Sequence, residues 1–193
     1  MHPKEDIKDQ IIEVARKIFS QFGFKKTTLE EIAQAAGKGK SSIYYYFDSK
    51  EDIFRAVVEK EAQILRNEIE KKLNAVKSPK NQLRTYILTR MESFKNLANF
   101  YNAVKNEYLA RLDFIEKIRK KYDQDEVKAI ERILQSGIDN GDFIIKKPEV
   151  TAIAIATAMK GLEIPVFFDD ENYKLEKRLD EILDVLFFGL VKR

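Results

Sequence analysis

The stretch TLEEIAQAAGKGKSSIYYYF, residues 28–47, decides the fold of this chain. Thr28 precedes Glu31 by three residues, which is the spacing of a capping box, so a helix is expected to begin here. A Gly-Lys-Gly turn follows. After the turn, Ile43 and Phe47 lie four residues apart and would face a core from a second short helix. The stretch therefore predicts two short helices joined by a tight turn, as in a helix-turn-helix.

Apolar residues at helical spacing flank this stretch on both sides. Upstream, they predict a helix over residues 7–22 that ends at Gly23 and carries Phe22 on its buried stripe. Downstream, Ser49 followed by Asp52 predicts another capped helix. Its apolar stripe continues for about 26 residues without a breaker, a length of roughly 39 Å. The helix-turn-helix is thus expected to form part of an N-terminal three-helix domain, followed by a long helix.

The rest of the chain shows further helical patterns and no convincing strand. Pro79 and Pro148 each suit the first turn of a helix. The sequence predicts an all-α protein of about nine helices. We expect a helix-turn-helix DNA-binding domain over residues 1–50 and a helical effector-binding and dimerisation domain over residues 51–193.

Composition excludes several classes of function. The chain has no Cys, which excludes thiolate chemistry and cysteine metal sites. Its one His is His2, at the N-terminus, so we expect neither a His-bearing triad nor a multi-His metal cluster. We predict no catalytic residue, no metal site and no cofactor. The longest apolar run, Val150–Met159, is about half of what a bilayer requires, and the N-terminus is charged. We therefore expect a cytoplasmic protein without membrane contact.

Bulk charge does not identify a nucleic-acid partner. The net charge is +3, and residues 1–50 carry only two more basic than acidic residues. The placement of charges is more informative, because the first residues of a recognition helix reach base edges in the major groove. Lys40 can bind phosphate or the acceptors of guanine. The three consecutive tyrosines span most of a helical turn, so they cannot all be buried, and their hydroxyls can bind phosphate.

Residues 37–51, GKGKSSIYYYFDSKE, resemble the signature of the TetR family of bacterial transcriptional regulators. That signature is a glycine, a three-residue turn, a small pair, an aliphatic residue, Tyr, any residue, His or Tyr, Phe, any residue, Ser or Asn, Lys, and an acid. The resemblance covers about residues 7–58. It implies a regulator, usually a repressor, that binds a palindromic double-stranded operator as a homodimer and is released by a small molecule.

The resemblance also implies which residues touch DNA. Thr28, Tyr46 and Lys50 match phosphate-binding positions, and the others match positions near bases or the adjacent backbone. The predicted DNA contacts are Thr28, Lys38, Lys40, Ser41, Ser42, Tyr44, Tyr45, Tyr46 and Lys50. Two of the turn residues depart from the family pattern, since Lys38 replaces a usual buried Val and Gly39 replaces a usual small polar residue.

The C-terminal half is expected to dimerise and to hold an effector. Small residues on the penultimate helix and a wide apolar stripe on the last one favour a homodimer through residues of about 148–191. The effector is unknown, and an apolar or aromatic compound would suit the aromatic middle helices. The predicted ligand contacts are Met91, Phe94, Tyr101, Tyr108 and Phe167. Arg90 either orients a ligand or, as we favour, forms a surface salt bridge.

Three other functions compete with this interpretation. The chain could be a DNA-binding organiser without an effector, a helical lipid carrier with a vestigial N-terminal module, or a helical enzyme. The enzyme is disfavoured because no nucleophile motif or phosphate-binding loop is present. Replacement of Lys40 and Tyr44 separates the carrier from the regulator, because only a regulator needs them.

Overall fold

The computed structural model describes residues 3–93, 96–105, 112–162 and 175–188. Within these ranges the chain forms nine α-helices and no strand, which confirms the all-helical prediction. The helices are α1 (Pro3–Lys26), α2 (Leu29–Ala35), α3 (Lys40–Tyr44), α4 (Lys50–Asn74), α5 (Pro79–Ser93), α6 (Ala98–Lys105), α7 (Asp113–Asp139), α8 (Pro148–Leu162) and α9 (Leu175–Phe188).

The chain folds into two compact units. The first comprises residues 1–66 and 94–119, and the second comprises residues 67–93 and 120–193. Helices α4 and α7 therefore contribute residues to both units. The functional division after residue 50 stays a prediction.

The first unit is built around α1, which packs against α2 and α6, while α2 packs against α3. Three aromatic rings form the centre of its core. The Phe54 ring contacts Phe19 edge-on, with ring centroids 5.1 Å apart, and contacts Phe24 at 4.8 Å. Such buried aromatic pairs contribute about 0.5–1.5 kcal/mol each beyond their buried area.

Gly23 interrupts α1 and changes which phenylalanine is buried. Its φ of 79° and ψ of 161° are non-helical, as expected for a glycine at the end of a helical segment. The chain then resumes a helical turn to Lys26. This break directs Phe24 into the core, whereas Phe22 is 54% exposed. The prediction that Phe22 lies on the buried stripe is therefore wrong.

Both predicted capping interactions are confirmed. The Thr28 hydroxyl accepts a hydrogen bond from the Glu31 backbone N–H at 3.2 Å, and the Glu31 carboxylate accepts one from the Thr28 backbone N–H at 2.7 Å. At the start of α4, the Ser49 hydroxyl accepts a hydrogen bond from the Asp52 N–H at 3.1 Å. Each cap satisfies helix-end N–H groups and is typically worth about 1 kcal/mol.

In the second unit, α5 packs against α9. Arg84 of α5 donates to both carboxylate oxygens of Asp180, at 2.6 and 2.7 Å, and to Glu176 at 3.1 Å. The hydrogen bonds to Asp180 raise the pKa of Arg84 above its usual value. Such a two-pronged contact fixes the relative rotation of the two helices better than a single ion pair does.

The end of α7 depends on a glycine that has no room for a side chain. A Cβ on Gly137 would overlap the ring of Phe143, which folds back onto the helix. The Phe143 ring also stacks on Phe187 of α9, with centroids 6.4 Å apart. The turn that brings Phe143 back to Gly137 contains Gly141, at a φ of 78°, and the Asp142 N–H donates to the Gly137 carbonyl at 2.8 Å.

We expect Gly137→Ala to destabilise the protein by about 1–2 kcal/mol, because the displaced Phe143 ring loses its packing. The control is the same substitution in a Phe143→Ala background, where no ring occupies the position of the new Cβ. There it should be neutral or stabilising, since Ala favours helix more than Gly does. Thermal unfolding at one fixed protein concentration checks both, and equal effects would contradict the role given to Phe143.

Candidate nucleic-acid interface

A glycine turn orients α3 relative to α2. Gly37 has a φ of 64°, its N–H donates to Gln34 O at 3.1 Å, and the Lys38 N–H donates to Ala33 O at 2.9 Å. This pair of bonds is a Schellman motif, and its left-handed residue favours glycine. Gly39 begins α3 in an extended conformation, with a φ of −74°. Glycine is therefore required at position 37 and not, by backbone conformation, at position 39.

Helix α3 has one buried side and one exposed side. Ile43 and Phe47 are buried, as predicted. Tyr44 and Tyr45 are 47% and 65% exposed. Between residues 40 and 47, the exposed residues are Lys40, Ser41, Ser42, Tyr44 and Tyr45.

Three further predicted contacts are Tyr46, Lys38 and Thr28. Tyr46 is half-buried, and its ring meets that of Tyr45 edge-on at 5.0 Å. Lys38 is also half-buried, in the turn before α3. Thr28 is exposed, but its hydroxyl donates to the Glu31 carboxylate at 2.9 Å. Thr28 therefore has a structural role as a cap, whether or not it also binds phosphate.

Lys50 has a structural role that the sequence does not reveal. Its ammonium donates to the carbonyls of Phe24 at 2.9 Å and of Thr27 at 3.0 Å, and it lies 4.4 Å from the centre of the Phe24 ring. A cation is favourable here because carbonyls at the end of a helix lack partners within the helix. Lys50 thereby fastens the start of α4 to the end of α1. Its contact with phosphate stays a prediction.

Glu30 was missed by the sequence analysis as a partner of α3. Its carboxylate forms an ion pair with the Lys40 ammonium, and both side chains are largely exposed. The hydrogen bond to Glu30 raises the pKa of Lys40, and the same bond lowers the pKa of Glu30. No local sequence pattern indicates this contact, because ten residues and a turn separate the two.

Glu61 of α4 is a buried carboxylate that joins three helices of the first unit. It is 1% exposed. It accepts hydrogen bonds from Arg16 Nε of α1 at 2.9 Å, from Asn99 Nδ2 of α6 at 2.9 Å and from the Phe100 backbone N–H at 2.8 Å. The Asn99 amide also donates to the Arg16 carbonyl at 2.9 Å. A buried carboxylate with this many donors holds its neighbours in one arrangement.

We expect Glu61→Gln to lower the free energy of unfolding by about 1–3 kcal/mol, because the amide has a single oxygen to accept from these donors and would turn its own NH2 group toward one of them. Glu59→Gln is the matched control, since Glu59 lies on the same helix and is exposed. Urea unfolding of both variants checks the prediction. A loss of equal size in the control would contradict it.

Most of the predicted ligand contacts cannot be located. Phe94, Tyr108 and Phe167 lie outside the described residues, as does the side chain of Tyr101. Met91 is fully buried on α5, and its sulfur lies 3.7 Å from Arg90 Nη1. Ligand binding at the five positions stays a prediction.

The favoured surface position of Arg90 is wrong. Arg90 is 1% exposed, and it pairs with Glu126 of α7, which is 2% exposed. A second bond joins Arg90 Nη2 to Glu126 Oε2 at 3.4 Å, and the guanidinium lies 5.7 Å from the Tyr122 ring centre. Burial raises the pKa of nearby Tyr86 well above its usual value, with the charge of Glu126 adding to the effect. Arg90 of α5 and Glu126 of α7 both lie in the interior of the second unit, where each neutralises the charge of the other.

Helices α5, α8 and α9 line an apolar cavity of about 290 Å³. Its walls include Ile87, Met159, Leu179 and Leu183, and Thr151 is the polar residue among them. A second cavity, of about 330 Å³, lies near Phe143 and Phe187.

Within the described ranges, none of the helices combines the length and apolar character needed to cross a membrane.

Comparison with known proteins identifies the family. Residues 11–57 match the model of bacterial regulatory proteins of the tetR family, and residues 65–192 match the model of the QacR-like C-terminal region. The chain belongs to the TetR family. It is therefore a helix-turn-helix transcriptional regulator that binds DNA. The second match also extends the family relationship over the C-terminal part, where the sequence analysis recognised only size and helix order.

Individual TetR-family proteins resemble the whole chain at low identity. The uncharacterised regulator YfiR of Bacillus subtilis is 27% identical over 178 residues, covering 88% of this chain and 84% of that protein. The regulator QacR of Staphylococcus aureus is 24% identical, covering 97% and 100%. The structure of FadR from Bacillus subtilis in complex with stearoyl-CoA has a TM-score of 0.74 at 21% identity, covering 94% and 98%.

Proposed function

We propose that this TetR-family protein is a homodimeric repressor that binds a palindromic operator through α3 and leaves it when a small molecule binds. The observation that carries the proposal is the exposed side of α3. Large aromatic and basic side chains project there, while the opposite side of the helix is buried. A regulator bound to chromosomal DNA would act in the cytoplasm.

The proposed contacts follow the exposure of the side chains. Lys40, Ser41 and Ser42 open α3 and would reach base edges, since the first residues of a recognition helix lie deepest in the groove. Tyr44 and Tyr45 would place their rings against sugar or a thymine methyl and their hydroxyls near phosphates. The proposed flanking contacts are Thr28, Lys38, Tyr46 and Lys50.

Apolar residues on α8 and α9 support a dimer. Val150 and Ile153 on α8 are exposed, and so are Val185 and Phe188 on α9. Contiguous exposed apolar patches mark protein–protein interaction sites. A two-fold dimer through these helices would match the symmetry of a palindrome.

The effector is proposed to bind in the second unit, where Met91 lies on α5, the helix that also lines the apolar cavity of about 290 Å³. The walls of this cavity are apolar except for Thr151, so they suit a lipid-like or aromatic body. FadR of Bacillus subtilis was solved with stearoyl-CoA, which makes an acyl-CoA a reasonable first probe. Release then requires that the effector prefer the DNA-incompetent conformation by a few kcal/mol.

The first test is binding of the purified protein to genomic fragments, including the region upstream of its own gene, over a range of salt concentrations. Tight, salt-sensitive binding to a palindrome is expected. Stearoyl-CoA added to the complex is then expected to release the DNA. If the protein shows no sequence preference at any salt concentration from low to physiological, the repressor function is overturned. If the protein stays bound to the DNA after stearoyl-CoA is added, this compound is excluded as the effector.

We expect Lys40→Met to weaken operator binding about tenfold or more and to reduce the salt-dependence slope by about one if Lys40 binds a phosphate. A contact with guanine would instead relax the sequence preference at one position. Tyr44→Phe should also weaken binding, through loss of the hydroxyl. Lys128→Met is the control, because Lys128 is an exposed lysine of α7 in the second unit. Equal losses in Lys40→Met and the control would contradict the assignment.

A further inference from the structure

We propose that Glu30 is a specificity-determining residue of the DNA-binding surface. By pairing with Lys40, it lowers the affinity for DNA of arbitrary sequence more than the affinity for the operator. The inference rests on the proposed function, in which α3 reads the DNA.

The two adjacent acids at the start of α2 have different partners. The Glu31 carboxylate is occupied within its own turn, where it accepts from the N–H and the hydroxyl of Thr28 at 2.7 and 2.9 Å. The Glu30 carboxylate instead reaches across the turn to Lys40. The capping role of Glu31 leaves Glu30 available for this contact, so Glu30 is not explained by helix capping.

Lys40 stands where a charge partner has the largest effect on DNA binding. It is the first residue of α3, directly after Gly39, which provides no side-chain cap. The first turn of α3 also contains no acid of its own. Glu30 therefore supplies the negative charge facing Lys40. The two side chains are 61% and 49% exposed, so the ammonium can exchange partners without a change in the fold.

The two kinds of DNA contact open to Lys40 differ in how they affect Glu30. A phosphate is an anion, and it would bring a second negative charge beside the Glu30 carboxylate. The acceptors on the guanine edge are uncharged. An ammonium has three N–H donors, so Lys40 can keep Glu30 while it donates to guanine. Non-specific binding, which depends on phosphate contacts, is therefore penalised more than base-specific binding.

The experiment compares Glu30→Gln with the unaltered protein on two duplexes. One duplex is the sequence enriched from a random library by the unaltered protein, and the other has a shuffled sequence. Glu30→Gln is expected to bind the shuffled duplex about fivefold more tightly, the upper range for an exposed ion pair. Its gain on the enriched duplex should be less than twofold. Its ratio of specific to non-specific affinity should therefore fall.

Two controls separate the pair from a general charge effect. Asp48→Asn removes the same charge from an exposed position of the same domain, and no ion pair is described for Asp48 in the parts of the chain that the structure covers. It should leave the affinity ratio unchanged. In a Lys40→Met background, Glu30→Gln should no longer change the ratio.

The outcomes distinguish this inference from the function on which it rests. Equal gains on both duplexes, a matching change in Asp48→Asn, or a persistent effect without Lys40 would overturn the role of Glu30 alone. Failure of the unaltered protein to enrich any sequence would overturn the repressor, and the role of Glu30 with it.

Discussion

The arrangement of the first unit depends on one buried carboxylate. Removing a charge from water is costly, and Glu61 is tolerated because Arg16, Asn99 and the Phe100 N–H all donate to it. These donors belong to α1 and α6, so α1, α4 and α6 must keep a common geometry. Since α1 packs against α2 and α2 against α3, the placement of α3 depends on this charge as well as on the aromatic core.

The local parts of the fold were predictable because their physical causes are local. A capping box is recognised from two residues three apart, so the sequence predicted the roles of Thr28 and Glu31. A glycine between two helical patterns indicates a turn, so the sequence also predicted the turn at Gly37. Ile43 and Phe47 were placed in the core by their spacing alone. The same reasoning failed at Phe22, because the non-helical conformation of Gly23 breaks the helical periodicity. Phe22 is therefore exposed, and Phe24 is buried in its place.

The charged interactions were not predictable because their partners are distant in sequence. Arg16 and Glu61 are 45 residues apart, and Arg90 and Glu126 are 36 apart. One signal was available: Glu61 lies four residues after Val57 and four before Leu65, which places an acid on a buried stripe. At the proposed DNA-binding surface, the sequence pattern predicted which side chains are exposed, whereas the partners of Lys50 and Lys40 could only be found in the structure.

The two helix caps have a consequence for how such a protein can change during evolution. The Thr28–Glu31 and Ser49–Asp52 bonds stabilise the starts of α2 and α4, on either side of α3, with partners of their own turns. Between these caps, Gly37 belongs to the turn, and the buried core residues are Ile32, Ala33, Ala36, Ile43 and Phe47. The intervening surface positions can therefore drift at little thermodynamic cost. A duplicated copy of this gene could acquire a new operator by a few substitutions while its scaffold remains intact.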